Sequence, residues 1–255
     1  MCGIVGYAGS RPALDIVLDG LRRLEYRGYD SAGVAVIADG KLLTEKRAGK
    51  LANLERALGG SELRAPLSAG TTGIGHTRWA THGGPTDRNA HPHLSADGRI
   101  AVIHNGIIEN FAKLRLEIEA AGIEFASDTD TECVAHLLSL ELDAGGDLTG
   151  AMTRVVQRLE GAFTLLAVDA AEPGVVVGAR RNSPLVVGRG AGENYLASDV
   201  AAFIEHTREA IELGQDQIVT ITPDGVAITD FFGTPAAGRE FHVTWDVAAA
   251  EKGGY

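Results

Sequence analysis

Residues 1–10 read MCGIVGYAGS, and the cysteine at position 2 is one of two in the whole chain. Two readings compete for it. CGIVGYA is an apolar run suited to a buried strand, and cysteine packs like a small hydrophobe, so Cys2 reads as a core residue. Alternatively Met1 is removed, and Cys2 becomes both the thiol and the free α-amine of the chain. A free thiol titrates near ~8.5 and an α-amine near ~7.7–8.0, so the amine is poised to take a proton near neutrality and to return it later. With both groups on one residue, that transfer runs through a bridging water. With Met1 in place the amine is an amide and has no basicity.

Outward from this strand, the pattern alternates helices with antiparallel strands. Ser10 reads as an N-cap with Pro12 in the first helical turn, and Leu14, Val17, Leu18, Leu21 and Leu24 mark one face. AGVAVIADGKLLTEKRAG reads as a hairpin turning at Asp39-Gly40. The apolar runs TTGIGHTRWAT and RIAVIHNGII follow. Three helices are expected next. The first carries Phe111, Leu114, Ile118 and Ala121 and is closed by Gly122, and the second carries Val134, Leu137, Leu138 and Leu142. The third carries Met152, Val155, Val156 and Leu159, with Gly161 as its stop. From 162 onward the reading is mostly strand: AFTLLAVDA, GVVVGA, PLVVGRG, NYLAS and QIVTIT. A short helix is expected at 201–206 and a turn at Pro223-Asp224-Gly225. Nearly continuous apolar strands mean that both sheet faces are covered, and paired helices between hairpins indicate α+β layers.

Composition narrows the class. Of 255 residues, 45% are hydrophobic, and the formal net charge is −11 with no long basic cluster, which argues against nucleic acid as a partner. No apolar run approaches the ~20 residues that span a bilayer, and the start lacks the pattern of an export signal. Two cysteines make no disulfide framework. The expectation is a cytoplasmic domain without a membrane partner.

Four polar stretches stand where a core strand should not be polar: YRGYDSAG (26–33), HTRWATHG (76–83), HNGIIEN (104–110) and SDTDTE (127–132). Each lies at the end of an apolar run or just before a helix, where a rigid element can position a site. Together with CGIVG, LRRLEYRGYDSAG and NAHPH, in this order and spacing, they resemble the class II glutamine amidotransferases. More narrowly they resemble the glutaminase halves of glucosamine-6-phosphate synthases. The branch that delivers ammonia to phosphoribosyl pyrophosphate usually reads HRGQDSAG and HNGNL at the matching places, and remains the alternative. The resemblance runs from Cys2 to about Trp245. It implies the N-terminal-nucleophile fold, a four-layer αββα sandwich of two antiparallel sheets. It also implies a domain over 1–238, followed at 239–255 by an extended segment that opens a linker to sugar-isomerase domains. The implied reaction is hydrolysis of free L-glutamine to glutamate and ammonia. In the full-length protein, expected to be a homodimer, the ammonia makes glucosamine 6-phosphate from fructose 6-phosphate. The chain alone is expected to hydrolyse glutamine without aminating the sugar.

The residues carry this chemistry on their own terms. Hydrolysing a carboxamide needs a nucleophile, a base, an oxyanion site and grips on the substrate. Cys2 supplies the first two. The Asn105 amide and the Gly106 N–H can converge on one oxyanion; the competing reading of Asn105-Gly106 is a type I′ turn. A planar guanidinium at Arg78 suits an α-carboxylate and Asp130 suits an α-ammonium. The bland alternatives are a surface salt bridge and a helix N-cap. Thr81 and His82 are implied pocket lining. Arg27, Tyr29 and Trp79 are implied lid or ammonia-gate residues, with Trp79 equally readable as core. His76, His82, His91, His93 and His104 are dense, but they lack the spacing of a zinc site, so no metal or cofactor is expected. Cys133 reads as core, and ARRNSPL (179–185) has no assigned chemistry. An amidase for another amide and a ligand-sensing module with a dead site are the competing functions. The paired grips argue against the first, and an intact nucleophile argues against the second.

Overall fold

The computed structural model describes residues 2–81 and 83–244, and at Arg27 the backbone alone. Two antiparallel sheets stack face to face with helices on both outer sides. The larger sheet has eight strands in the order β14-β11-β9-β10-β1-β4-β2-β3. In chain order these are β1 (Gly3–Ala8), β2 (Ser31–Ala38), β3 (Lys41–Ala48), β4 (Thr72–Arg78), β9 (Val186–Arg189), β10 (Asn194–Ala197), β11 (Glu209–Glu212) and β14 (Arg239–His242). The smaller sheet runs β13-β12-β8-β7-β6-β5. Its strands are β5 (His93–Leu94), β6 (Ile100–Ile108), β7 (Gly161–Asp169), β8 (Val176–Arg181), β12 (Gln217–Ile221) and β13 (Val226–Asp230).

Period-2 alternation sorts the strand residues into three apolar layers. Val5, Tyr7, Val34 and Val36 face outward from the larger sheet, against α1 (Ala13–Arg23), α2 (Leu51–Gly59) and α3 (Arg64–Ala69). Ile4, Ile74, Ala101, Ile103, Leu166 and Val219 fill the space between the sheets. Val102, Phe163, Leu165 and Val177 face α4 (Phe111–Ala120), α5 (Thr131–Asp143) and α6 (Leu148–Val156). The four-layer αββα sandwich is therefore present.

The hairpin turns at Asp39-Gly40, both at positive φ (50° and 68°), which is the type I′ geometry that suits the strand twist. Gly122, at φ 84°, follows α4 as expected. Other expectations needed correction. Ser10 caps nothing: α1 begins at Ala13 with Pro12 in the cap position, and the orphan Ala13 N–H donates to Gly70 O at 2.8 Å. Gly161 opens β7 and stops no helix; α6 ends at Val156, and Asp147 caps its start by accepting from Gly150 N–H at 2.7 Å. The helix expected at 201–206 is a 3₁₀ turn over Val200–Ala202. α2 and α3 went unread, although Leu51, Leu54 and Leu58 are buried at helical spacing. Beyond position 238, β14 pairs with β11, and Val243 is buried in the outer layer. Trp245 and the rest of the 245–255 segment lie outside the described residues, as does Met1.

Candidate active site

The site forms at one end of the inter-sheet layer. β1 pairs with β4 so that Gly3 lies opposite Thr77 and Ile4 opposite His76, which brings Cys2 beside the end of β4. The Trp79 N–H donates to Cys2 Sγ at 3.0 Å. Burial pushes the thiol above the ordinary cysteine value and Asp30 adds to that, while the Trp79 N–H and the Arg78 charge pull it down. The competing reading of Cys2 as core therefore fails in part: its Sγ is held by a donor and faces a pocket.

β6 enters from the other sheet. Asn105 Nδ2 donates to Cys2 O at 3.0 Å, and its Oδ1 lies 2.8 Å from His76 Nε2. Asn105-Gly106 is not a turn, because both residues sit inside β6 and pair with Thr164 and Phe163 of β7. Gly106 has φ 121°, and a Cβ there would stand 2.0 Å from Ala162 O, so the backbone requires glycine at this point.

Arg78 is buried, with its guanidinium donating to Gly83 O at 3.0 Å and Gly84 O at 3.4 Å and lying 3.8 Å from Asp30. It is not a surface salt bridge. Asp130 occupies the residue before α5 without capping it: its carboxylate accepts the Ile108 N–H at 2.8 Å. Cys2, Arg78, Trp79, Thr81, Gly106 and Asp130 line one small pocket, together with His91, His104, Thr129 and Thr131. A larger, more open outer pocket shares Cys2, Trp79, Thr81 and Gly106, and adds Asn105, Ser183, Pro184 and Ser198. Part of ARRNSPL thus reaches the mouth of the site.

The remaining expected residues divide. Thr81 is exposed at the rim, and Trp79 is 57% exposed, which removes the core reading. Tyr29 points elsewhere: its hydroxyl accepts the Leu51 N–H at 2.7 Å and bonds Glu25, while its ring packs on the helix side of the larger sheet. His82 and the Arg27 side chain lie outside the described residues.

Sequence reasoning missed Asp30, whose N–H donates to Arg78 O at 2.7 Å and whose carboxylate accepts the Ala80 N–H. It also missed the order among the buried histidines. His91 Nε2 lies 2.8 Å and His104 Nδ1 3.0 Å from Thr131 Oγ1, and His93 Nε2 lies 3.0 Å from Thr129 Oγ1. Lys46 Nζ donates to the carbonyls of Arg88, Ala90 and Pro92, tying down the NAHPH loop; burial lowers its pKa to about 8. Among the described residues no three His, Cys, Asp or Glu side chains gather as a metal site requires. Cys133 is buried, with its thiol pushed up to about 12.

Residues 43–230 match the glutamine amidotransferase domain family. The chain belongs to that family. The chain is 67% identical over 255 residues to glutamine–fructose-6-phosphate aminotransferase [isomerizing] of Streptomyces coelicolor, covering all of this chain and 41% of that protein. The Mycobacterium tuberculosis protein of the same name is 60% identical over 263 residues, with 42% of its length covered. The chain thus spans about two-fifths of the length of the curated relatives it matches. Among solved structures, glutamine phosphoribosylpyrophosphate amidotransferase from B. subtilis, complexed with ADP and GMP, superposes with a TM-score of 0.73 at 26% identity, over 90% of this chain and 49% of that one. A class-II glutamine aminotransferase domain protein from Silicibacter pomeroyi, at 19% identity and TM-score 0.56, shares the fold over 92% of this chain and 100% of its own.

Proposed function

We propose that this amidotransferase chain hydrolyses free L-glutamine to glutamate and ammonia through a thioester on Cys2. One observation carries the reading: the Cys2 thiol, the Arg78 guanidinium, Gly106 and the Asp130 carboxylate line a single pocket, with the Asn105 amide 3.0 Å from the Cys2 carbonyl. Arg78 takes the α-carboxylate of the substrate as a fork and Asp130 takes its α-ammonium, which selects the free amino acid over a glutamine within a protein. With Met1 removed, the α-amine of Cys2 accepts the thiol proton through a water as sulfur attacks the side-chain carboxamide. Asn105 Nδ2 and the Gly106 N–H stabilise the oxyanion. The C–N bond then breaks, and the leaving nitrogen takes the proton as ammonia. Water adds to the thioester, glutamate departs and the thiol is restored.

In the full-length protein the ammonia passes to fructose 6-phosphate, giving glucosamine 6-phosphate on sugar-isomerase domains that follow this one. The named relatives and the forms YRGYDSAG and HNGIIEN favour this acceptor over phosphoribosyl pyrophosphate. No helix among the described residues is long and apolar enough to cross a membrane, and both cysteines are free thiols.

Intact-mass analysis paired with a glutaminase assay tests the mechanism. The expected active species begins at Cys2, and protein that retains Met1 is inert. Full activity with Met1 in place would overturn it.

A further inference from the structure

We propose that His76 is the positioning residue that sets which way the Asn105 amide faces, and so aims the oxyanion donor; this rests on the glutaminase reading above. The Cys2 carbonyl can only accept a hydrogen bond, so the amide group 3.0 Å from it is the NH₂ end of Asn105. Asn105 Oδ1 therefore faces the opposite way, 2.8 Å from His76 Nε2, and that nitrogen must carry a proton to donate. The second N–H of Asn105 Nδ2 is left for the substrate oxyanion.

The bond is a bridge between layers. His76 lies on β4 on the same inner face as Ile74, and Asn105 lies on β6 on the same inner face as Ile103. Each sheet thus contributes one partner. The imidazole is fully buried and packs at a 60° tilt against the His91 ring, with centroids 4.3 Å apart. His91 bonds Thr131 Oγ1, and Thr131 Oγ1 lies 3.0 Å from His104 Nδ1 and 3.5 Å from the Asp130 carboxylate. One network therefore braces the oxyanion donor and the proposed ammonium grip together. Burial holds His76 neutral, with its pKa down to about 3, and the acceptor Asn105 Oδ1 fixes its single proton on Nε2, so it serves as an orienting donor instead of a proton carrier.

Without that donor the Asn105 amide can rotate, turning Oδ1 toward the oxyanion. Losing one oxyanion donor typically costs ~10²–10³ in turnover, so misaiming it is expected to cost ~10–10². Two polar replacements separate the roles. His76→Gln places an amide N–H close to the Nε2 position, whereas His76→Asn places one close to Nδ1, out of reach of Asn105. The expected result is glutamine hydrolysis within about five-fold of wild type for H76Q and a kcat lowered ~10–10² for H76N. The KM for glutamine should stay within about two-fold in both, and Cys2 should alkylate at the wild-type rate with iodoacetamide. Equal kcat in the two variants, or a loss that appears in KM or in alkylation, overturns the proposal. A wild-type chain that starts at Cys2 yet does not hydrolyse glutamine would instead overturn the glutaminase reading.

Discussion

Replacing Asn105 by Asp changes one atom pair and leaves the shape of the side chain intact. In the wild type, Nδ2 donates to Cys2 O at 3.0 Å and Oδ1 accepts from His76 at 2.8 Å. An aspartate keeps the His76 contact and replaces the donor with a second acceptor. That oxygen faces the Cys2 carbonyl, so two acceptors oppose each other, and the oxyanion donor is gone. The donor's loss alone lowers kcat by ~10²–10³, about 3–4 kcal/mol in the transition state. A carboxylate near Sγ also disfavours the thiolate, pushing in the same direction. Arg78 and Asp130, the proposed grips on the backbone end of glutamine, are untouched, so KM should move by less than about three-fold. The assay is steady-state glutamate release from protein whose mass begins at Cys2, with thermal melting as a control for folding. A folded N105D variant that loses less than ten-fold in kcat, or whose loss lies in KM, refutes the oxyanion assignment.

Two further outcomes follow from the same geometry. Arg78→Lys replaces a buried fork, braced by Gly83 O and Gly84 O, with a point charge, so the KM for glutamine should rise at least ten-fold, read by substrate titration; an unchanged KM removes Arg78 as a carboxylate grip. Burial works to raise the Glu132 pKa, but hydrogen bonds from His136, Ser127 and the Ala126 and Ser127 N–H groups prevail and hold it at about 2. With the folded value depressed below an unfolded value of 4.5, this stability is fully present above about pH 4.5 and is lost as pH falls toward 2. Glu132→Gln should therefore lower stability by about 2 kcal/mol at neutral pH and flatten the loss over that acid window, measured by denaturant titration at several pH values. An equally steep acid loss in the variant counts against it.

Much of the fold was legible because its signals are local. The continuous apolar run VAVIA, the apolar run ending in HNGII, the Asp39-Gly40 turn and the apolar stripe from Leu14 to Leu24 each lie within a dozen residues. What was misread lay where a distant partner overruled a local preference. Ser10 lost its capping role because Gly70 O satisfies the Ala13 N–H. Gly161 stops no helix, because at φ 109° it starts a strand where a Cβ would lie 2.3 Å from Ile107 O. Short strands such as β5 and β11 carry too few residues for a pattern and exist through their neighbours.

The candidate site divides along the same line. The motif resemblance nominated Cys2, Arg78, Asn105, Gly106 and Asp130; residue types alone left a core cysteine, a type I′ turn, a surface salt bridge and a helix N-cap open. Their arrangement depends on how two sheets stack. Packing of α5 on the outer face of β6 turns the Asp130 carboxylate to the Ile108 N–H instead of its own helix, and packing of α2 on the larger sheet draws Tyr29 to the side away from the site. Only the stacking sets His76 against Asn105, 29 positions away on the facing layer. Periodicity along a chain records which face a residue takes; what that face meets is settled by packing between segments that share no local signal.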